Sequence, residues 1–260
     1  MAQNLWTKEQ LKLAYHLYCQ LPFGKLHSRN KEIIQLATLI GRTPSAVAMK
    51  LTNFASLDPE VTGRGRRGLK GASGLDREVL AEFHSDWEGL AAEAELIRRK
   101  LGEGLPLEKL HEVDTDNGLM PENFNGETRR AVVQQRIKQY FFRRSVLSSY
   151  GGRCCMSGLT EPSLLVASHI VPWSKDKANR LNPSNGLCLS ALHDRAFDKG
   201  LLTLSDNFCV VLSKRLRNCK EEIVKRVFLP LEGEAIERPK RFEPNLVFIA
   251  RHRKEIFVDR

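Results

Sequence analysis

Two histidines and an asparagine are the residues of this chain whose types and spacing could do chemistry. The run Leu164-Leu165-Val166-Ala167-Ser168-His169 is apolar and ends in a histidine, and Ile170-Val171-Pro172-Trp173 follows it. A polar loop then leads to Asn182-Pro183-Ser184-Asn185-Gly186, a second apolar run Leu187-Cys188-Leu189, and His193-Asp194-Arg195-Ala196-Phe197-Asp198-Lys199-Gly200. A neutral imidazole titrates near neutrality, so it can take a proton from water or hold a metal ion. One histidine after an apolar strand usually only packs. Two of them, in order with an asparagine, a proline and a tryptophan, favour a site over packing.

The elements that would position these groups follow from the pattern. The first apolar run is short enough for a strand ending at His169, the second for a strand after Asn185-Gly186, and His193 falls on a helix of about two turns. The three motifs Ser-His-Ile-x-Pro-Trp, Asn-Gly-Leu-x-Leu and His-Asp-x-Ala-Phe-Asp resemble those of the HNH nucleases, a family of small ββα-metal folds. The resemblance is closest to a bacterial branch associated with restriction and antiphage defence. Its flanks agree: Gln135-Arg136 through Phe142-Arg143 and Tyr150 leads into Cys155-x-x-Gly158, and Leu246 to Phe257 looks like the usual ending. The resemblance covers 129–260, half the chain.

What the resemblance implies is metal-dependent hydrolysis of a phosphodiester, where a base activates water and a metal ion bridges the phosphate and steadies the leaving oxygen. It assigns His169 as general base, Asn185 as the side chain that holds the base-bearing loop, and His193 as ligand to a divalent ion, Mg²⁺ or another first-row metal such as Mn²⁺. Many members carry an aspartate just before the base as a metal ligand, where this chain has Ser168. A hydroxyl is a weaker ligand, so the ion would rest on His193, phosphate and water, with Asp198 as the best protein substitute. Structural zinc is not expected, because the two Cys-x-x-Cys pairs that support it are absent. The six cysteines have no framework spacing and read as reduced thiols. Arg143, Arg144 and Arg195 are candidates for phosphate contact, or equally for surface ion pairs.

The rest of the chain is consistent with a polyanionic partner. Its 260 residues, 42% hydrophobic, fit one large domain or two small ones with a real core. Net charge is +10, unevenly spread: 76–116 holds twelve acidic and five basic residues, a balance of −7 that leaves +17 elsewhere. Thr7-x-x-Gln10 predicts a capped helix with Leu11, Ala14, Tyr15, Tyr18 and Leu21 inward, and Asn30 a second helix ending at Gly41. Thr43-Pro44 opens a third through Val47, Leu51 and Phe54. Helix, short turn, helix is the helix-turn-helix layout, which would place Ser45 and Asn53 toward base edges and Arg42 and Lys50 toward phosphates. An ordinary helical hairpin is the alternative. A glycine-rich basic loop with Arg64, Arg66 and Arg67 follows, then one acidic helix over 75–101 with Leu80, Phe83, Trp87, Leu90, Ala94 and Ile97 inward, and a linker over 102–126.

The expected fold is α+β: an all-helical DNA-recognition domain (1–71), an acidic helix and linker (72–127), and a ββα-metal domain (128–260). The expected activity is a DNA endonuclease acting on foreign or phage DNA. The alternatives are a DNA-binding regulator or targeting subunit whose HNH domain is inactive or needs a partner, and an RNA-cleaving toxin. A homodimer or defence-system partner proteins are compatible with the reading. No run of eighteen apolar residues occurs and the N-terminus lacks a signal-peptide layout, so a cytoplasmic protein without membrane contact is expected.

Overall fold

The computed structural model describes residues 5–62, 71–102 and 126–259, and divides into two compact units, Met1–Ser148 and Ser149–Arg260. The division falls after residue 148, in α7.

Unit 1 is helical: α1 (Lys8–Gln20), α2 (Lys31–Leu39), α3 (Pro44–Leu57), the single turn α4 (Pro59–Thr62), α5 (Gly74–Ser85), α6 (Trp87–Lys100) and α7 (Gly126–Ser149), the last ending at the unit boundary. The starts of its first three helices are written in the sequence. Thr7 and Gln10 form a reciprocal capping box on α1, Asn30 caps α2 through the Glu32 amide, and Thr43 caps α3 with Pro44 in its first turn. Helix α1 is the hub, because every residue from Leu11 to Gln20 is buried. Tyr15 packs edge-on to Phe54 and Phe83 at ring distances of 5.0 and 4.8 Å.

The acidic stretch is two helices rather than one. Asp86 leaves helical geometry (φ −147°, ψ 80°) and turns its carboxylate onto the Gly89 amide at 2.8 Å, ending α5 and capping α6. An aspartate that can satisfy a free helix N–H competes with helix continuation. The break shifts the inward face of α5, so Asp76, Val79 and Phe83 are buried while Leu80 is half-buried. Both helices pack on α1 and are therefore part of the helical core.

Unit 2 contains β1 (Leu165–His169), β2 (Gly186–Ser190), α8 (Ala191–Asp198), β3 (Leu202–Leu204), β4 (Val210–Leu212), the short helices α9 (Lys214–Arg217) and α10 (Glu222–Val227), and α11 (Leu246–Glu255). Strands β1 and β2 pair antiparallel with His169 opposite Gly186 and Leu165 opposite Ser190, and α8 packs on both strands. Strands β3 and β4 form a second antiparallel pair, and α11 packs on β3. The expected strand, strand, helix order is present.

Helix α8 is stopped and anchored at one point. The Leu201 amide donates to the Ala196 carbonyl and the Gly200 amide to that of Phe197, both at 2.9 Å, with Gly200 in the left-handed region at φ +64°. A Cβ on Gly200 would lie 2.0 Å from the backbone carbonyl oxygen of Ile256, just past α11. Gly200→Ala therefore combines an unfavourable φ with a backbone collision, and is expected to destabilise unit 2 by about 3 kcal/mol. Gly151→Ala is the control, with φ +65° and open space around it, and an expected loss of about 1 kcal/mol from φ alone. Denaturant titration of both variants checks the difference, and equal losses would refute the collision.

Candidate active site

His169 is the last residue of β1, half-buried, and its cross-strand neighbour Gly186 has no side chain to crowd the ring. Its Nε2 lies 2.9 Å from the carbonyl oxygen of Arg180. A carbonyl can only accept, so Nε2 carries the proton and Nδ1 the lone pair. Trp173 stands perpendicular to the imidazole at 5.6 Å and lies under the Arg180 guanidinium at 5.0 Å. Burial is the main influence on the ring; with the Arg180 charge it outweighs the Arg180 carbonyl and lowers the pKa to about 4. His169 is thus neutral at physiological pH.

Asn185 is fully buried and fastens the segment after His169. Its Oδ1 accepts the Val171 amide at 2.8 Å, and its Nδ2 donates to the carbonyls of Val171 (3.1 Å) and Asn179 (3.3 Å). Its own carbonyl accepts the Ile170 amide at 2.9 Å. Only a side-chain amide supplies an acceptor and two donors at one position, so this bracket needs asparagine geometry rather than charge.

His193 sits in the first turn of α8 and is 3% exposed. Ser190 caps the helix by accepting the His193 amide at 3.3 Å, and its hydroxyl also lies 2.9 Å from Nδ1 of the same histidine. Cys154 Sγ is 3.6 Å from Nδ1. Burial raises the Cys154 thiol, but hydrogen bonds from His193, Ser157 and Met156 outweigh it and bring the pKa down to about 6. Both contacts fall on Nδ1, which leaves Nε2 as the ring nitrogen open to a further partner. Neither partner was visible beforehand, although Ser190-x-x-His193 carries a capping signal.

Two buried side-chain atoms of this hairpin and helix lack any hydrogen-bond partner: His193 Nε2 and Ser168 Oγ. Orphaned buried polar atoms call for a ligand or water, and an imidazole nitrogen is of the type that binds a first-row divalent ion. They do not make a closed cage, since no three of His, Cys, Asp or Glu come together among the described residues. Asp198 does not join them. It is exposed on the last turn of α8, and five residues carry it about 140° around the helix from His193. Arg195 is likewise exposed, about 160° away from His193 around the helix.

The expected DNA contacts of unit 1 are largely redirected inward. Lys50 is 8% exposed and pairs with the fully buried Asp76 at 3.1 Å. Asn53, also buried, donates to the Gly71 carbonyl at 3.1 Å. These two side chains fasten the α3 face to the chain that follows and are removed from any groove. Arg144 makes a two-pronged pair with Glu32 at 2.7 and 2.8 Å and packs over Tyr140, so it too serves the fold. Arg42 donates to Gln10 at 2.9 Å and lies over Trp6. Ser45 is exposed and Arg143 half-buried. Arg64, Arg66 and Arg67 lie outside the described residues.

Among the described residues no helix is long and apolar enough to cross a membrane. No curated protein matches the chain. Residues 154–205, from Cys154 through both strands of the hairpin, α8 and β3, match the HNH endonuclease family. That segment, with its strand, strand, helix order, is thus similar to the HNH endonucleases.

Proposed function

We propose that the protein is a metal-dependent DNA endonuclease. The observation that carries the reading is the state of His169: a neutral imidazole whose Nε2–H is tied to the Arg180 carbonyl, leaving the Nδ1 lone pair to accept a proton from water. Asn185 keeps the following backbone in place, so the ring meets the phosphate in one orientation. HNH nucleases generally use a divalent ion; here Ser168 Oγ and His193 Nε2 would hold it, and it would stabilise charge on the phosphate and the leaving oxygen. Ser190 and Cys154, both at Nδ1, orient the His193 ring so that Nε2 is the nitrogen turned away from them.

The chain's basic excess outside 76–116 supports a nucleic-acid substrate. In unit 1, Ser45 is exposed and Arg42 and Arg143 are half-buried, so these expected contacts keep some access to it. Action on foreign or phage DNA, with Mg²⁺ as the ion, is the finer form of this proposal and rests on the likeness to the defence branch.

The purified protein with Mg²⁺ or Mn²⁺ is expected to nick or cut plasmid DNA and to stop in EDTA. Cleavage that persists in EDTA would remove the metal from the mechanism. Comparing unmodified, methylated and glucosylated DNA tests the defence role. One observation favours a second reading, a targeting protein with an inactive or partner-dependent HNH domain: Ser168 stands where many members have aspartate, and among the described residues no group of three His, Cys, Asp or Glu forms around His193. DNA binding without cleavage in either metal would decide for it.

A further inference from the structure

We propose that Arg251 and Asp176 are positioning residues for the general base, and that α11, which lies outside the matched segment 154–205, is an integral part of the nuclease site. The proposal rests on the reading of His169 as base.

The hydrogen bonds run in an unbroken series. Arg251, on α11, places its Nη1 2.9 Å from Asp176 Oδ2 across 75 residues of sequence. The other oxygen of Asp176 accepts both the amide and the side-chain Nδ2 of Asn179, each at 3.1 Å. This folds the loop so that the Asn179 carbonyl meets Asn185 Nδ2 at 3.3 Å and the next carbonyl, that of Arg180, meets His169 Nε2 at 2.9 Å. The Asp176 side chain is only 15% exposed and that of Arg251 33%, so the pair is better shielded than most exposed ion pairs. A second tie joins the same loop to the same helix: Glu255 accepts from Arg251 at 3.2 Å and from Lys175 at 3.4 Å. These contacts, with Arg251 first, hold the Glu255 carboxyl below its ordinary value.

Helix α11 also grips the other half of the site. His252, next to Arg251 and 1% exposed, stacks on Phe197 of α8 at 3.7 Å. Its Nε2–H donates to the Phe197 carbonyl at 3.1 Å, and Nδ1 accepts the Thr203 hydroxyl at 2.8 Å. Two consecutive residues of one helix thus brace the loop that fixes the tautomer of His169 and the end of the helix that carries His193. A basic residue in a nuclease is usually read as a phosphate contact. Arg251 is already committed to two carboxylates and belongs to the scaffold.

The test uses the full chain. Arg251→Ala is expected to lower kcat for DNA cleavage about 10- to 100-fold, with the Kd for DNA and its salt slope unchanged. In a long-range ¹H–¹⁵N spectrum of the imidazoles, His169 should lose its single Nε2–H tautomer. Arg251→Lys should recover part of the rate. Asp176→Asn, which keeps an acceptor for Asn179 and removes the charge, supplies the same reading should the alanine variant fail to fold, and the double variant should be no worse than the more damaged single one. A weaker Kd with a salt slope shallower by about one would make Arg251 a direct phosphate contact and overturn the proposal. So would a lost rate with an unchanged His169 spectrum, or additive effects of the two substitutions. If the wild type does not cut DNA, the nuclease reading fails on its own, while the His169 spectrum still decides whether Arg251 positions the ring.

Discussion

Replacing His169 with alanine is expected to reduce DNA cleavage about 10²- to 10⁴-fold, the usual contribution of a general base, while leaving the folded state and DNA affinity nearly intact. The ring is half-buried at the end of β1 and faces a glycine across the hairpin, so its removal opens little core. Its Nε2 hydrogen bond is to the Arg180 carbonyl, which sits in a loop already held by Asp176 and Asn185. Cleavage and melting should therefore separate: a rate lost by orders of magnitude, and a Tm within a few degrees of wild type. Equal cleavage by the two proteins would sink the assignment of His169 as base.

The pH dependence follows from burial. His169 is neutral well below pH 6.5, so its own titration should leave no acid limb near that value in kcat/KM. Stability sets the acid limit instead. The folded pKa values of His169 and His252, both about 4, lie below the ordinary histidine value, and between the two values the unfolded chain binds more protons than the folded one. Stability therefore falls as pH is lowered through this window, by roughly 1.4 kcal/mol per unit for each histidine once well below pH 6.5. His16 adds the same tendency in unit 1, its pKa lowered to about 3 chiefly by burial and also by Arg98 and Arg144. Cleavage is expected to be flat from pH 8 to about 6.5 and then to collapse together with the circular dichroism signal, more steeply than one proton allows. A shallow single-proton decline with the fold intact, kept when Cys154 (pKa about 6) is replaced by serine, would mean that His169 titrates near its ordinary value.

What the sequence made legible, and what it hid, divides by distance along the chain. The hairpin and α8 are local: each joins residues within about a loop's length. The caps at Thr7, Asn30 and Thr43 are local in the same sense. The misreadings concern long side chains. Lys50 and Asn53 look like groove-facing residues on the outward side of α3 until Asp76 and Gly71, 26 and 18 residues on, arrive to take their hydrogen bonds. Arg144 looks like a phosphate clamp until Glu32, 112 residues away, pairs with it. A charge count does not reveal which cations are internally paired. Asp86 breaks a continuous apolar stripe because its carboxylate competes for an amide, which periodicity does not register. The brace from Arg251 to Asp176 is of the same kind, and no local pattern at either end announces it.

Asn185 gives the second large effect, and its variants separate geometry from charge. Asn185→Ala removes the partner of the buried Val171 amide and withdraws the donor to two carbonyls, so a loss of about 3 kcal/mol is expected. Because Val171 follows the base by two residues, cleavage at saturating DNA should also fall, by about 10- to 100-fold. Asn185→Asp has nearly the same shape and keeps the acceptor for Val171, yet it turns an oxygen on the carbonyls of Val171 and Asn179. The new carboxyl can satisfy one of them, and only when protonated, so its folded pKa must rise above the unfolded value near 4. For such a group the folded state binds more protons, and the penalty relative to wild type grows as pH rises through the unfolded value and levels off above the folded one. At pH 7 the aspartate variant is thus expected to be the less stable of the two despite its closer shape, and the gap to wild type should narrow as pH is lowered toward 5. Urea titrations at pH 5, 6 and 7 measure this. A gap that stays constant, or an aspartate variant as stable as wild type at pH 7, would show that the bracket tolerates charge and that its amide geometry is not what holds the base in place.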